Sequence, residues 1–177
     1  MPELHPLLRL PPRTDEGTVN VVVETPGGSV HKLSFDDERG VFVLKKSLPV
    51  GMTFPHDFGF VPRTKAGDGD PIDVLVLHDG PTLPGVVVEA RLVGVIEAEQ
   101  REKGGPPQRN DRLIAVGVKS RTFGRVHELT QLPRELVDDL ERFFVSYSTA
   151  LGKELRPLGR AGAERAEALL DEAVAKR

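Results

Sequence analysis

The hydrophobic period changes once along this chain, and that change limits the architectures open to it. From Val19 to Val118 the apolar residues come in short runs rich in Val and Ile, bounded by Gly, Pro and Asp, as strands are. Beyond Pro133 the period becomes helical. Leu136, Leu140, Phe143, Phe144, Tyr147 and Leu151 fall on one stripe, and Pro133 suits the first turn of a helix. A second helix is expected over AGAERAEALLDEAVAK. Strands followed by helices predict an α+β domain: a compact β-barrel or strongly twisted antiparallel sheet with helices on one side. The chain has 177 residues, the size of one domain spanning 1–177, with residues 1–18 an irregular N-terminal arm.

Within the strand-rich part, VNVVVET, SVHKLSF and VFVLKKS read as a three-stranded meander, separated by Gly27-Gly28 and the turn-forming DDERG. The next segment, SLPVGMTFPHDFGFVPRTKAG, carries Pro49, Pro55 and Pro62 among several glycines, too many breakers for a regular element. Phe54, Phe58 and Phe60 predict a loop pinned to the core. VLVL, the long run VVVEARLVGVIEAE and RLIAVGV are further strands, with QREKGGPPQR an exposed excursion between the last two.

Charge and composition exclude several functions. Lys plus Arg total 24 against 27 Asp plus Glu, a net charge of -3, so no general basic field exists for nucleic acid or anionic lipid, and phosphate recognition must be local. The absence of cysteine removes disulfides, thiolate metal sites and cysteine nucleophiles. MPELHPLLRLPPRTDEG offers no charged leader followed by an apolar stretch, and no apolar run approaches the roughly 18 residues of a membrane span, so a soluble, cytoplasmic protein is expected. Gly152-Lys153 lacks the flanking residues of a phosphate-binding Walker loop, and neither a zinc helix of the H-E-x-x-H type nor a G-x-S-x-G elbow occurs. The histidines at 5, 31, 56, 78 and 127 form no ligand-like pair.

Against this background KAGDGDPIDVLVL stands out, with Asp68, Asp70 and Asp73 just before a buried strand. Two carboxylates about 4 Å apart repel by roughly 1 kcal/mol in water and about 4 kcal/mol at an effective dielectric of about 20. Ordinary turn chemistry accommodates Asp-Gly and Asp-Pro where the turn is solvated, whereas a half-buried turn needs a cation. The spacing does not match a helix-loop-helix calcium site, since the third acid falls at 73 and Pro71 intrudes. Hard carboxylate oxygens on a rim stiffened by Pro71 and turned at Gly69 suit Mg²⁺ and phosphoryl chemistry.

DGDPIDVLVL, with VVVET before it and FPHDFGF just upstream, resembles the soluble, magnesium-dependent, single-domain inorganic pyrophosphatases (family I), and RLVGV, RLIAV and RFFVSYS extend the likeness. The resemblance implies a five-stranded barrel of oligonucleotide-binding (OB) type with flanking helices, hydrolysis of pyrophosphate to two phosphates, Mg²⁺ as cofactor, and a homo-oligomer, usually a hexamer in bacteria. By position it makes Asp68, Asp70 and Asp73 metal-site carboxylates, with Asp70 the base for the attacking water, and Glu24 an acid acting on the metal site through water. Lys32, Lys45, Arg112 and Tyr147 correspond to substrate-binding groups. Departures from the family pattern are also present. Asn110 replaces a metal-binding aspartate and stays among the expected metal ligands through its neutral carbonyl oxygen, while Asp111 beside it points to the opposite strand face. Ser34 stands for a glutamate, Phe54 and Phe58 for tyrosines, and Ser148 for a lysine; Glu97 and Glu99 lie near the family's other metal-ligand segment. These losses make a phosphate-binding or sensing protein with little turnover the alternative reading.

Overall fold

The structure, a computed structural model, describes residues 5–176. A short helix α1 (Pro6–Arg9) precedes strands β1 (Val19–Thr25), β2 (His31–Asp36), β3 (Val41–Ser47), β4 (Asp57–Phe60) and β5 (Asp73–Leu77). Then come the long β6 (Val87–Glu102), β7 (Gln108–Arg109), β8 (Arg112–Gly117), helix α2 (Arg134–Ala150), β9 (Lys153–Gly162) and helix α3 (Ala163–Ala175). Strand β1 pairs with β4, β4 with β5, β5 in parallel with β8, β8 with β6, and β6 returns to β1. The five strands close a barrel, as the family resemblance implies. Beyond the barrel, the second half of β6 continues outward and pairs with β7 and β9.

Burial explains the sequence pattern. Strand β8 is buried at every residue. Val74 and Val76 of β5 join a core with Leu169 and Leu170 of α3, while Leu75 and Leu77 join another with Leu140 and Phe144 of α2. A strand covered on both faces reads as a continuous apolar run, which is why VLVL and RLIAV do not alternate.

Two expectations need correction, and one strand had no reading in the sequence. The first three strands are not one meander: β2 and β3 form a separate hairpin, whereas β1 belongs to the barrel. FPHDFGF is not simply a pinned loop, because Asp57–Phe60 is barrel strand β4. Its acid is tolerated there because the buried Asp57 carboxylate accepts hydrogen bonds from Gly27 N (2.8 Å), Thr82 N (2.9 Å) and Thr82 Oγ1 (2.5 Å) and pairs with His78 Nε2 at 2.9 Å. Gly59 is required by close approach: a Cβ there would lie 2.0 Å from the Val22 carbonyl oxygen. Finally, KELRPLGRAG is strand β9, held by its pairing with β6 despite Pro157 and two glycines. The N-terminal arm, of which residues 1–4 lie outside the described residues, is partly ordered by α1 and by Arg13, which pairs with Glu167 and Asp171 of α3. Among the described residues no helix is long and apolar enough to cross a membrane.

Candidate active site

The acidic turn is built by its own backbone. Gly69, at φ +92°, takes the left-handed conformation that closes the turn, donating to the Ala66 carbonyl at 3.1 Å, while Ala66 N donates to the Asp70 carbonyl at 2.7 Å. Asp70 N donates to Asp68 Oδ1 at 3.1 Å. Thr64 then anchors the turn to the barrel. Its buried hydroxyl donates to the Val61 carbonyl (2.6 Å) and accepts from Ile72 N (3.0 Å), bracketing the turn across eight residues. Asp68 and Asp70 are left exposed, and Asp73 opens β5 half-buried.

This turn forms one wall of a cleft of about 410 Å³. Glu24, at the end of β1, and Lys32, Ser34 and Lys45, on the β2–β3 hairpin, contribute the facing wall; Asn110 and Arg112 enter from β8 and the residues before it, and Tyr147 from α2. Asp68, Asp70, Asp73, Asn110, Glu24, Lys32, Lys45, Arg112 and Tyr147 therefore all line one cleft, although they are spread over the chain from β1 to α2.

Aromatic rings form its floor. Lys32 Nζ lies 4.4 Å from the centroid of Phe58, and the Arg112 guanidinium lies 6.0 Å from Phe58 and 5.5 Å from Phe144. Phe54, beneath, packs edge-on against Tyr147 at 5.3 Å. Phe58 thus presents a π face to two cations, each such contact contributing about 0.5–2 kcal/mol. Lys32 also pairs with Glu24 Oε2 at 3.6 Å, and Phe35 N donates to Glu24 Oε1 at 2.7 Å.

Electrostatics follow from this enclosure. Burial pushes the Glu24 carboxyl above the usual carboxylate range, against the opposing pull of Lys32 and the Phe35 N–H. Asp68 is also raised: its surroundings remove part of its hydration, the Asp70 N–H works the other way, and the charges of Asp73 and Asp70 add to the increase. Tyr147 is pushed up to about 12, chiefly by burial, with Arg112 opposing, so its phenol stays protonated and able to donate at neutral pH.

The sequence reading missed several residues. Gln100 lines the cleft from β6, and Asn110 Nδ2 donates to its Oε1 at 3.0 Å. Glu97 and Glu99 turn away instead: Glu97 pairs with Arg109 and Arg165, and Glu99 with Arg156. Lys153 lines the cleft from β9 and pairs with Glu102 at 3.0 Å, whereas Ser148 is buried in the body of α2. Asp37 and Leu8 complete the rim. Only strand parity could have separated Gln100 from its acidic neighbours. Parity does describe Asp111, which turns from the cleft to accept from Ala98 N at 3.0 Å and from Arg109 Nη2 at 2.8 Å.

Part of this donor set fits a hard divalent cation. Asp68 and Asp70 are exposed carboxylates with ionic oxygens, and one oxygen of Asp73 remains beside the one that Arg112 holds. Among the described residues, no three acidic or imidazole side chains already converge on a single point. Asn110, expected among the metal ligands, turns its carbonyl oxygen to Arg112 Nη1, from which it accepts a hydrogen bond.

Comparison with known proteins places this geometry. The family model for inorganic pyrophosphatase matches residues 21–177. The inorganic pyrophosphatase of Nostoc sp. is 34% identical over 168 residues, 95% of this chain and 96% of that protein, and that of Halalkalibacterium halodurans is 36% identical over 158 residues, 89% and 94% of the two chains. The crystal structure of inorganic pyrophosphatase from Thermus thermophilus superposes with a TM-score of 0.86 at 31% identity, covering 96% of this chain and 97% of that one. The Helicobacter pylori enzyme gives 0.84 at 31%, covering 95% and 98%. With the family model and relatives agreeing along nearly its whole length, and the barrel agreeing in three dimensions, the chain belongs to the inorganic pyrophosphatase family.

Proposed function

We propose that this chain hydrolyses inorganic pyrophosphate to two phosphates in the cleft, with Mg²⁺ as its cofactor. The observation that carries the reading is the meeting of Asp68, Asp70 and Asp73 with Lys32, Lys45, Arg112 and Tyr147 in one concave site. Five carboxylates (Glu24, Asp37, Asp68, Asp70, Asp73) line it against four cations (Lys32, Lys45, Arg112, Lys153). A polyanionic substrate entering a cleft of that balance needs further positive charge, and the acidic turn provides ligands for it.

Asp68, Asp70 and the free oxygen of Asp73 would hold the metal, with Glu24 acting through water. Mg²⁺, when bound, neutralises phosphoryl oxygens and makes water more acidic. The chain's own groups do the rest. Lys32 and Lys45 attract phosphate oxygens from the hairpin side and Arg112 from the barrel side, while the Tyr147 hydroxyl donates a hydrogen bond. Asp70 accepts the proton of the attacking water. Fixed positive groups aimed at developing charge supply most of the acceleration in such phosphoryl transfers. We further propose a cytoplasmic homo-oligomer, a hexamer by family resemblance, with no nucleic-acid or membrane partner; light scattering checks the mass. Phosphate release from pyrophosphate, followed with Mg²⁺, with EDTA, and with ATP or tripolyphosphate as rival substrates, tests the activity. Magnesium-dependent release that favours pyrophosphate is expected; tight pyrophosphate binding without release would overturn the enzyme reading.

A further inference from the structure

Four side chains at the back of the cleft form an unbroken string. Arg112 Nη1 lies 2.6 Å from Asp73 Oδ2 and donates to Asn110 Oδ1; the Asn110 amide nitrogen then donates to Gln100 Oε1 at 3.0 Å. The Arg112 side chain is 6% exposed, its Nε has no hydrogen-bond partner, and Phe58 and Phe144 flank its guanidinium. The string uses the oxygens that a metal on this side of the cleft would need. One oxygen of Asp73 and the carbonyl of Asn110 face the same guanidinium nitrogen, and the carbonyl of Gln100 faces the Asn110 amide. The charges agree, since Asn110 and Gln100 are neutral and Arg112 matches Asp73 one for one.

We propose that the Arg112 guanidinium, fixed by Asp73, Asn110 and Gln100, occupies the position of a divalent cation, so that this half of the cleft presents a built-in positive charge and takes up no metal. The inference rests on the pyrophosphatase reading for its substrate, but it concerns which cation meets that substrate. Metal uptake is confined to the side formed by Asp68, Asp70 and the outer oxygen of Asp73. Gln100 is a positioning residue: it orients the Asn110 amide so that the carbonyl, and not the nitrogen, faces Arg112. Asn110 is in turn the reason that no second negative charge recruits an ion there.

Mn²⁺ binding to the intact, substrate-free chain, counted by equilibrium dialysis, tests this without turnover. Arg112→Met frees Asp73 and the Asn110 carbonyl and is expected to gain one Mn²⁺ per chain. Asn110→Asp, with Arg112 in place, is expected to gain none, because the new carboxylate pairs with the guanidinium. The double variant is expected to hold the gained ion at least tenfold more tightly than Arg112→Met. An unchanged count in a folded Arg112→Met protein, or an added ion in Asn110→Asp, overturns the proposal; if Arg112→Met fails to fold, Asn110→Asp decides alone. Phosphate release by the wild type is scored separately. Counts as expected with no pyrophosphate hydrolysis would sink the functional reading and leave this one standing, and the converse would do the reverse.

Discussion

Tyr147 offers a direct view of the cleft at the scale of one residue, because it is the only tyrosine in a chain without tryptophan. Its phenol is pushed up to about 12 from the usual value near 10, since burial disfavours the anion more than Arg112 favours it. Ultraviolet absorbance should therefore show one tyrosinate transition near pH 12 in the folded protein; a transition at about 10 would mean that the ring is solvated. The linkage has a definite sign. Between about pH 10 and 12 the unfolded chain has given up this proton while the folded chain keeps it, so stability falls as pH rises through that window. Lys153 supplies a second test. It brings to the cleft rim a cation that the buried Ser148 does not, so Lys153→Ala should raise the KM for pyrophosphate several-fold with kcat little changed. At this scale the sequence was most legible where residue type alone carries chemistry, as in Asp68, Asp70 and Asp73. It was least legible where neighbouring residues differ only in the strand face they occupy: Gln100 enters the cleft and Glu99 does not.

At the scale of elements, the acidic turn depends on a clip outside it. Thr64 bonds the Val61 carbonyl and the Ile72 amide, and Thr64→Val keeps the shape while leaving a buried N–H without a partner. The expected loss is about 1–3 kcal/mol, read from urea unfolding; a midpoint equal to wild type would mean that the turn holds itself. Local signals explain why the helices and VLVL were readable while β4 and β9 were not. Periodicity and proline position mark α2 from within the segment. Strand β4 instead contains a buried acid satisfied by Gly27, His78 and Thr82, partners distant in sequence, and a glycine dictated by contact with Val22. Strand β9 carries Pro157 and exists through its pairing with β6. Tertiary contacts set these elements, and a window of sequence contains none of them.

For the molecule as a whole, the barrel is a rigid frame that brings like charges together. Asp68 and Asp73, each beside Asp70 in sequence, share one wall, so a cation that binds only the folded chain stabilises it, by about 2.7 kcal/mol at a hundredfold excess over its dissociation constant. Magnesium should raise the melting temperature, and Asp73→Ala should reduce that rise; a melting point indifferent to magnesium would deny the turn a metal. The barrel and its helices follow from pattern and resemblance together, whereas the charge balance of the cleft required the folded structure, because it depends on which of Glu97, Glu99, Gln100 and Lys153 face inward. If this cleft hydrolyses pyrophosphate with Asp70 as the base, phosphate release by wild type and by Asp70→Asn at saturating magnesium must differ. Wild type should turn over and Asp70→Asn should be at least about 10²-fold slower, with a melting temperature no lower than wild type when magnesium is absent; equal rates in the two proteins would rule out Asp70 as the base.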